Sequence, residues 1–502
     1  MSIPFKSEPA DFHQRALFPG NVFDLLPADH DCFLFHDLFQ QLDTTSVEAK
    51  YSPNGQHAYH PRQITSILIY GYSHGVFSSR QLEKRCNEDL SFMYIAGRNC
   101  PNFRVLSDFR KANADFFHAC FKQTVKLALE MKLASLGHVS LDGSKFKADS
   151  SKHKAMSYKH LKEKEAALTA VIDELIQQAT TCDTEEDVAH GVHRGDELPE
   201  ELAFKQKRLA TIRAAKAALE KREEALHPGE TIDDKKQISF ADEDARIMGK
   251  KGDFDYRYNG QISVDSDYQI IVGQHVSQHA NDKQEVEPAL AALKETTDQL
   301  PDKMSLDNGY YSGDNLESLE QAKVEAYVAV DRGEQRVADA LANSERRLVK
   351  ADFIYDEASD SFRCPADQIL PLKTQGKDGK RVYQGDTVTC RNCPYHQRCC
   401  RSKTGEARTI SSDGQEVIRQ QMRERMGTDE ANAIYQQRKV IVEPVFGHIK
   451  NGGFRAFSLR GTEKVAGEFS LVCAAHNLKK MVKAAVTGLV RPESGNWVAQ
   501  AS

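Results

Sequence analysis

The spacing of apolar and polar positions divides the chain into stretches of different character. Residues 1–137 carry apolar side chains at helical intervals. Ile64 to Tyr70 follow Pro61. A second helix is opened by the capping-box-like Ser78-Ser79-Arg80-Gln81. A long third one, capped by Ser107, sets Phe109, Phe116, Cys120 and Val125 on one side. At 138–147 the pattern changes, and His138-Val139-Ser140-Leu141-Asp142 with Lys145-Phe146-Lys147 predicts a strand. Residues 151–245 are charged and poor in aromatics, with Leu161, Leu168 and Leu175, then Ile212, Leu219 and Leu226, seven residues apart. An acidic loop from Asp183 to Glu201 would join the two halves, so an inserted helical hairpin is expected. Beyond it come strands at Gly260 to Val264 and Tyr268 to Gln274 around the turn Asp265-Ser266-Asp267. A helix over 283–298, a short strand ending at Asp307, a helix near 313–323 and a strand at Ala326 to Val330 follow. That order predicts a mixed α/β sheet. The cysteine-rich stretch 340–410 interrupts it, 411–485 returns to helix, and 486–502 reads as a loose tail.

Composition narrows the picture. A length of 502 residues leaves room for two to four domains, and 40% hydrophobic with 28% charged residues is not a disordered composition. The longest apolar runs fall well short of the roughly 18 residues of a membrane helix. The N-terminus lacks a charged-then-apolar secretory pattern, so a soluble cytoplasmic protein is expected. Of eleven cysteines, five fall between Cys364 and Cys400, which suggests local metal binding rather than a secreted disulfide framework. The net charge of −6 excludes a chain-wide basic field. Yet residues 432–483 hold nine Lys/Arg against three Glu, a local excess that suits nucleic acid.

Three carboxylates stand out by their surroundings: Asp142 after an apolar strand, Asp307 where another strand ends, and Glu443 in Val440-Ile441-Val442-Glu443-Pro444. Ligands of open α/β sheets bind beyond the carboxyl ends of strands. Acidic groups gathered there need a cation to offset their repulsion, and a hard-oxygen set suits Mg²⁺. A second candidate is Cys390-Arg391-Asn392-Cys393 with Cys399 and Cys400 after it and Cys364-Pro365 before it. Four thiolates, taken as Cys364, Cys390, Cys393 and Cys399 with Cys400 as a substitute for Cys399, suit tetrahedral Zn²⁺. The prolines and glycines around them predict a segment without a core of its own, which a metal would stabilise. A third, Gly71-Tyr72-Ser73-His74-Gly75, has the spacing of a nucleophile elbow, but its surroundings read as two helices joined by a turn. Asp282 is most simply an N-cap or helix-dipole residue of the helix that it opens, with an accessory role at the active site as the alternative.

Asp142-Gly143-Ser144-Lys145-Phe146-Lys147-Ala148, Asp307-Asn308-Gly309-Tyr310-Tyr311-Ser312 and Val442-Glu443-Pro444-Val445-Phe446-Gly447-His448-Ile449-Lys450 resemble, in order, the three blocks of bacterial insertion-sequence DDE transposases. Tyr59-His60-Pro61-Arg62 through Ser79-Arg80-Gln81-Leu82-Glu83 to Phe109-Arg110, and the cysteine cluster, are similar to the insertion-sequence 1182 group. The resemblance implies an RNase H-like catalytic core with Asp142, Asp307 and Glu443 as its metal-binding triad. It also implies two Mg²⁺ ions and DNA as substrate: the terminal inverted repeats and the target. Related enzymes carry a Tyr-x2-Arg-x3-Glu-x6-Lys signature. Here Tyr435, Arg438, Glu443 and Lys450 match except that four residues separate Arg438 from Glu443, so Lys439 takes the expected arginine position. On one helix, 435, 439, 443, 446 and 450 fall along one stripe, which would aim Lys439 and Lys450 with the carboxylate at one phosphate. Pro444 places Glu443 at a kink or a helix start.

The expected organisation is a helical DNA-binding domain at 1–137 and a first part of the core at 138–339, with the hairpin inserted at 151–245. A cysteine-rich zinc insertion at 340–410, a helical second part at 411–485 and the tail complete it. The expected chemistry is two-metal hydrolysis at an element's end, then attack of the freed 3′-hydroxyl on target DNA. The chain lacks a Gly-x4-Gly-Lys-Ser/Thr motif, and this chemistry needs no ATP. Joining two ends calls for a homodimer on DNA. A nuclease that cuts without joining and an inactive zinc-containing DNA-binding protein are the alternatives.

Overall fold

The computed structural model describes residues 21–52, 58–150, 155–190, 200–250, 252–330, 346–376, 379–400, 406–493 and 496–499. Its centre is a mixed sheet. Strand β1 is His138–Lys147, β2 Arg246–Met248, β3 Asp255–Asp265, β4 Ile271–Ser277, β5 Lys303–Leu306 and β6 Glu325–Val328. The order is β2-β3-β1-β5-β6, with β4 on the same edge of β3 as β2. β3 runs antiparallel to β1, β2 and β4, whereas β5 is parallel to both β1 and β6. The apolar positions of β1, Val139, Leu141 and Phe146, are fully buried, as its pattern demands.

A run of helices between Asp31 and Glu130 precedes the sheet, among them α1, Pro61–Ser73. The long third helix is in fact two. Asn102 caps Phe103–Ala112 by accepting from the Val105 N–H at 3.0 Å, and Asn113, at φ −130°, breaks the chain before Ala114–Glu130. Ser78 begins the helix Ser79–Glu88 without making a side-chain cap bond. Helices α2 (Tyr158–His190) and α3 (Glu200–Leu226) run along each other through Leu161, Ile212 and Leu219. α2 thus continues into the predicted acidic loop, of which 191–199 lie outside the described residues. Helix α4 is Val286–Thr297.

Toward the C-terminus come α5 (Asp429–Gln436), α6 (Arg438–Ile441), α7 (Glu443–Asn451) and α8 (Thr462–Val486). α8 is the buried axis of the molecule, with Phe469, Leu471, Ala474, Leu478 and Met481 nearly inaccessible. At Gly467 an added Cβ would stand 2.6 Å from the Ala114 backbone, so glycine lets these two helices meet. One continuous core joins the N-terminal helices, the sheet and α8. A buried ion pair reinforces it: Arg110 donates to the Tyr72 hydroxyl at 2.5 Å and stands 3.6 Å from Glu468, and Glu468 accepts from Tyr72 at 3.0 Å.

Two expectations are corrected. The cysteine-rich segment does have a core. Five antiparallel strands between Ile354 and Ser412 enclose Leu348, Phe353, Phe362, Leu370, Tyr383 and Ile410. The tail is not loose, because Val490–Glu493 pairs with Asn496–Ala499, and Val490 and Trp497 are buried in the main core. Among the described residues, no helix is long and apolar enough to cross a membrane.

Candidate active site

Register brings the first two carboxylates together. Leu141 of β1 pairs with Leu306 of β5 in parallel, so Asp142 and Asp307 each follow a paired leucine. Asp142 lies within its strand rather than at its end, at the point where the neighbouring strand stops. The Asp307 carboxylate accepts from the Gly309 N–H at 2.8 Å and so caps the turn Asn308–Tyr310. Glu443 opens α7, and Pro444 follows in the first turn, where its missing N–H costs nothing.

The single stripe expected from 435 to 450 is not formed, because the helix is interrupted at Gln437 and at Val442. Arg438, between the two interruptions, is buried. Gln437 lies 3.2 Å from the His138 ring, and Gln269 donates to the Val440 carbonyl at 2.6 Å, so α6 is tied to the start of β1 and to the turn between β3 and β4. The Arg438 guanidinium is 2.8 Å from Asp142, 3.5 Å from Glu443 and 3.9 Å from Asp307. It is therefore the point on which the three carboxylates converge. Burial lifts the Asp142 carboxyl to about 6, against the pull of Arg438. Burial opposes the charge of Arg438, but Asp142 and Asp307 outweigh it and hold the guanidinium above its ordinary value. The Arg438 Nε is buried and has no hydrogen-bond partner among the described residues.

The other predicted DNA contacts are dispersed. Lys450 is half-buried, donates to the Ser144 hydroxyl and lies 5.2 Å from the centre of the Phe146 ring. Tyr435 is half-buried beside Arg438, and Lys439 is exposed.

A fourth carboxylate belongs to this centre. Asp282 is not the cap of α4, whose N-cap position is held by Glu285. Its Oδ1 accepts from Asn259 and Gln261 at 2.7 Å each and from Lys145 at 3.2 Å. A Cβ at Gly143 would stand 2.3 Å from the Gln261 amide and 3.0 Å from Asp282, so glycine beside Asp142 is what admits this network. The signal in the sequence was Asn259 and Gln261 on the apolar strand β3, where buried amides demand partners.

Cys364, Cys390, Cys393, Cys399 and Cys400 line one small cavity of about 60 Å³, together with His396. The Cys364 sulfur accepts from the Ala366 and Gln368 N–H groups at 3.3 Å. Burial pushes the Cys399 thiol up to about 12. Among the described residues, neither this cluster nor the carboxylates stand at the spacing that holds a metal ion. The nucleophile-elbow reading fails: Ser73 ends α1, is buried, and donates to the Tyr70 carbonyl at 2.7 Å.

A family model described as Transposase DDE domain matches residues 363–482, which include Glu443 and most of α8. Another, described as Transposase domain (DUF772), matches residues 21–112. Searches of curated proteins and of solved structures returned no match. The two family matches support an insertion-sequence transposase, an enzyme whose substrate is DNA.

Proposed function

We propose that this chain is a DNA transposase of the insertion-sequence 1182 group, with an RNase H-like core, that cuts an element's ends and joins them to target DNA. The observation that carries the reading is the convergence of Asp142, Asp307 and Glu443, from three distant blocks, on one guanidinium. The antiparallel β4-β3-β1 ladder flanked by parallel β5 and β6 supports the RNase H-like fold.

The donor set suits divalent cations. Three hard carboxylates surround a positive charge, and Arg438 stands in for the cation. Asp142, Asp307 and Glu443 would hold two Mg²⁺ ions. Bound there, the metals supply Lewis-acid stabilisation of the departing oxygen and an activated water or 3′-hydroxyl. Arg438 must first leave the carboxylates, and its planar fork then suits a DNA phosphate. Lys450, Tyr435 and Lys439 are the further DNA contacts. The helical region 1–137 would recognise the terminal inverted repeats, and two protomers would hold the two ends, in the cytoplasm at the bacterial nucleoid. Zn²⁺ on Cys364, Cys390, Cys393 and Cys399 would brace the cysteine-lined sheet.

The test is Asp142→Asn on DNA carrying the element's ends. Strand cleavage should fall by at least about a thousandfold while DNA binding is retained, since electrostatic stabilisation of this kind is worth several kcal/mol. Undiminished cleavage would overturn the proposal. A strand-transfer assay with pre-cut ends separates it from a nuclease that cuts only.

A further inference from the structure

On the far side of α7 from the carboxylates lies a cleft of about 730 Å³ between the end of α1 and the C-terminal half of α8. Its floor is apolar, with Ile449, Phe454 and Val472, and Lys479, Lys480 and Lys483 stand along it on α8. Lys479 donates to the Ser73 carbonyl at 2.9 Å and Lys480 to the Gln269 side chain. An ammonium has three donors, so both keep capacity for another acceptor, and Lys483 is exposed.

The positive charge here is not balanced. Among the described residues, no carboxylate lies within ion-pair distance of the three lysines. Asp31, hydrogen-bonded to His74 at 3.1 Å, is the one acid among the described residues lining the cleft, so three lysines face a single carboxylate. Burial, and then Lys483, pull the Lys480 ammonium below its ordinary value, and burial, then Lys480 and Lys479, do the same to His448. Holding like charges together around the half-buried Lys480 is costly unless an anion offsets it.

Position points to the same occupant. Glu443 begins α7 and Asn451, on the cleft wall, ends it. At 1.5 Å per residue they are about 12 Å apart along the axis. We propose that this cleft binds the sugar–phosphate backbone of one DNA strand beyond the scissile bond. The lysines meet phosphates, and the apolar floor takes sugar and base faces. The inference rests on the transposase reading and adds the path of the DNA to it.

The test measures binding of the full-length protein to a mixed-sequence DNA duplex across about 50 to 200 mM salt. Each lost phosphate contact lowers the slope of log K against log salt by about 0.9. The triple variant Lys479→Ala, Lys480→Ala, Lys483→Ala should therefore lose about two to three of that slope and bind at least about tenfold more weakly. Because Lys479 and Lys480 also tether neighbouring elements, Lys483→Glu at an exposed position serves as the second variant and should weaken binding on its own. A folded triple variant, or Lys483→Glu, with wild-type slope and affinity would overturn the inference. Binding alone reads out the cleft, and a separate cleavage assay reads out the transposase. A protein that binds DNA through these lysines but never cuts would sink the transposase reading alone, and one that cuts with unaltered binding in both variants would sink the cleft alone.

Discussion

At the scale of single residues, the centre is held together by one cation among carboxylates. Arg438 is buried against Asp142, Asp307 and Glu443, so any divalent ion must displace it. Arg438→Gln should therefore bind Mn²⁺ more tightly, by about tenfold, because the ion no longer competes with a buried ion pair. Calorimetric titration checks this, and weaker binding in the variant would refute the competition. Asp142, Asp307 and Glu443 were legible because each sits in a distinctive block of sequence. The burial of Arg438 among them was not. It depends on Gln437 and Val440 being bonded to His138 and Gln269, which are remote in the chain. Asp282 was read first as a cap or helix-dipole residue, with the accessory role second, for a related reason: an aspartate just before a helix looks like a cap until its partners on β3 are seen.

At the scale of elements, the helices and strands around the site followed from their patterns, and their interruptions did not. Pro444 signalled a helix start at Glu443, whereas the break at Gln437 carries no proline or glycine and is imposed by packing. Helix α8 gives a test of its own. His476 donates to the Gln269 carbonyl at 3.0 Å, and burial pulls its imidazole down to about 4. The unfolded chain takes up this proton near pH 6.5. Stability should therefore fall as pH drops from about 6.5 toward 4, because the unfolded state binds the proton first. His476→Gln should flatten that part of the acid limb in urea denaturation measured at several pH values. An unchanged limb would mean that the ring does not titrate as its burial requires.

At the scale of the whole molecule, helices before residue 137 and the sheet after it share one core, although their patterns change abruptly at that point. Periodicity reports which face of an element is apolar, not what it will meet. The same limit hid the core of the cysteine-lined sheet, whose six buried side chains are spread from Leu348 to Ile410. The contact of Arg110 with Tyr72 and Glu468 spans the junction between the helices and α8. Arg110→Ala leaves Glu468 buried without its counter-charge, which should cost about 3 kcal/mol or more. Chemical denaturation should show a single, earlier transition reported by both regions. Two separate transitions would contradict a shared core.

The pairing of Leu141 with Leu306 has a consequence for chain length. Successive side chains of a strand project to opposite sides, so sliding β1 by one position against its parallel neighbour would carry the 142 carboxylate to the reverse of the sheet. Deleting a single residue between 138 and 141 should thus silence the centre as thoroughly as erasing the aspartate, though every acidic group would still be present in the polypeptide.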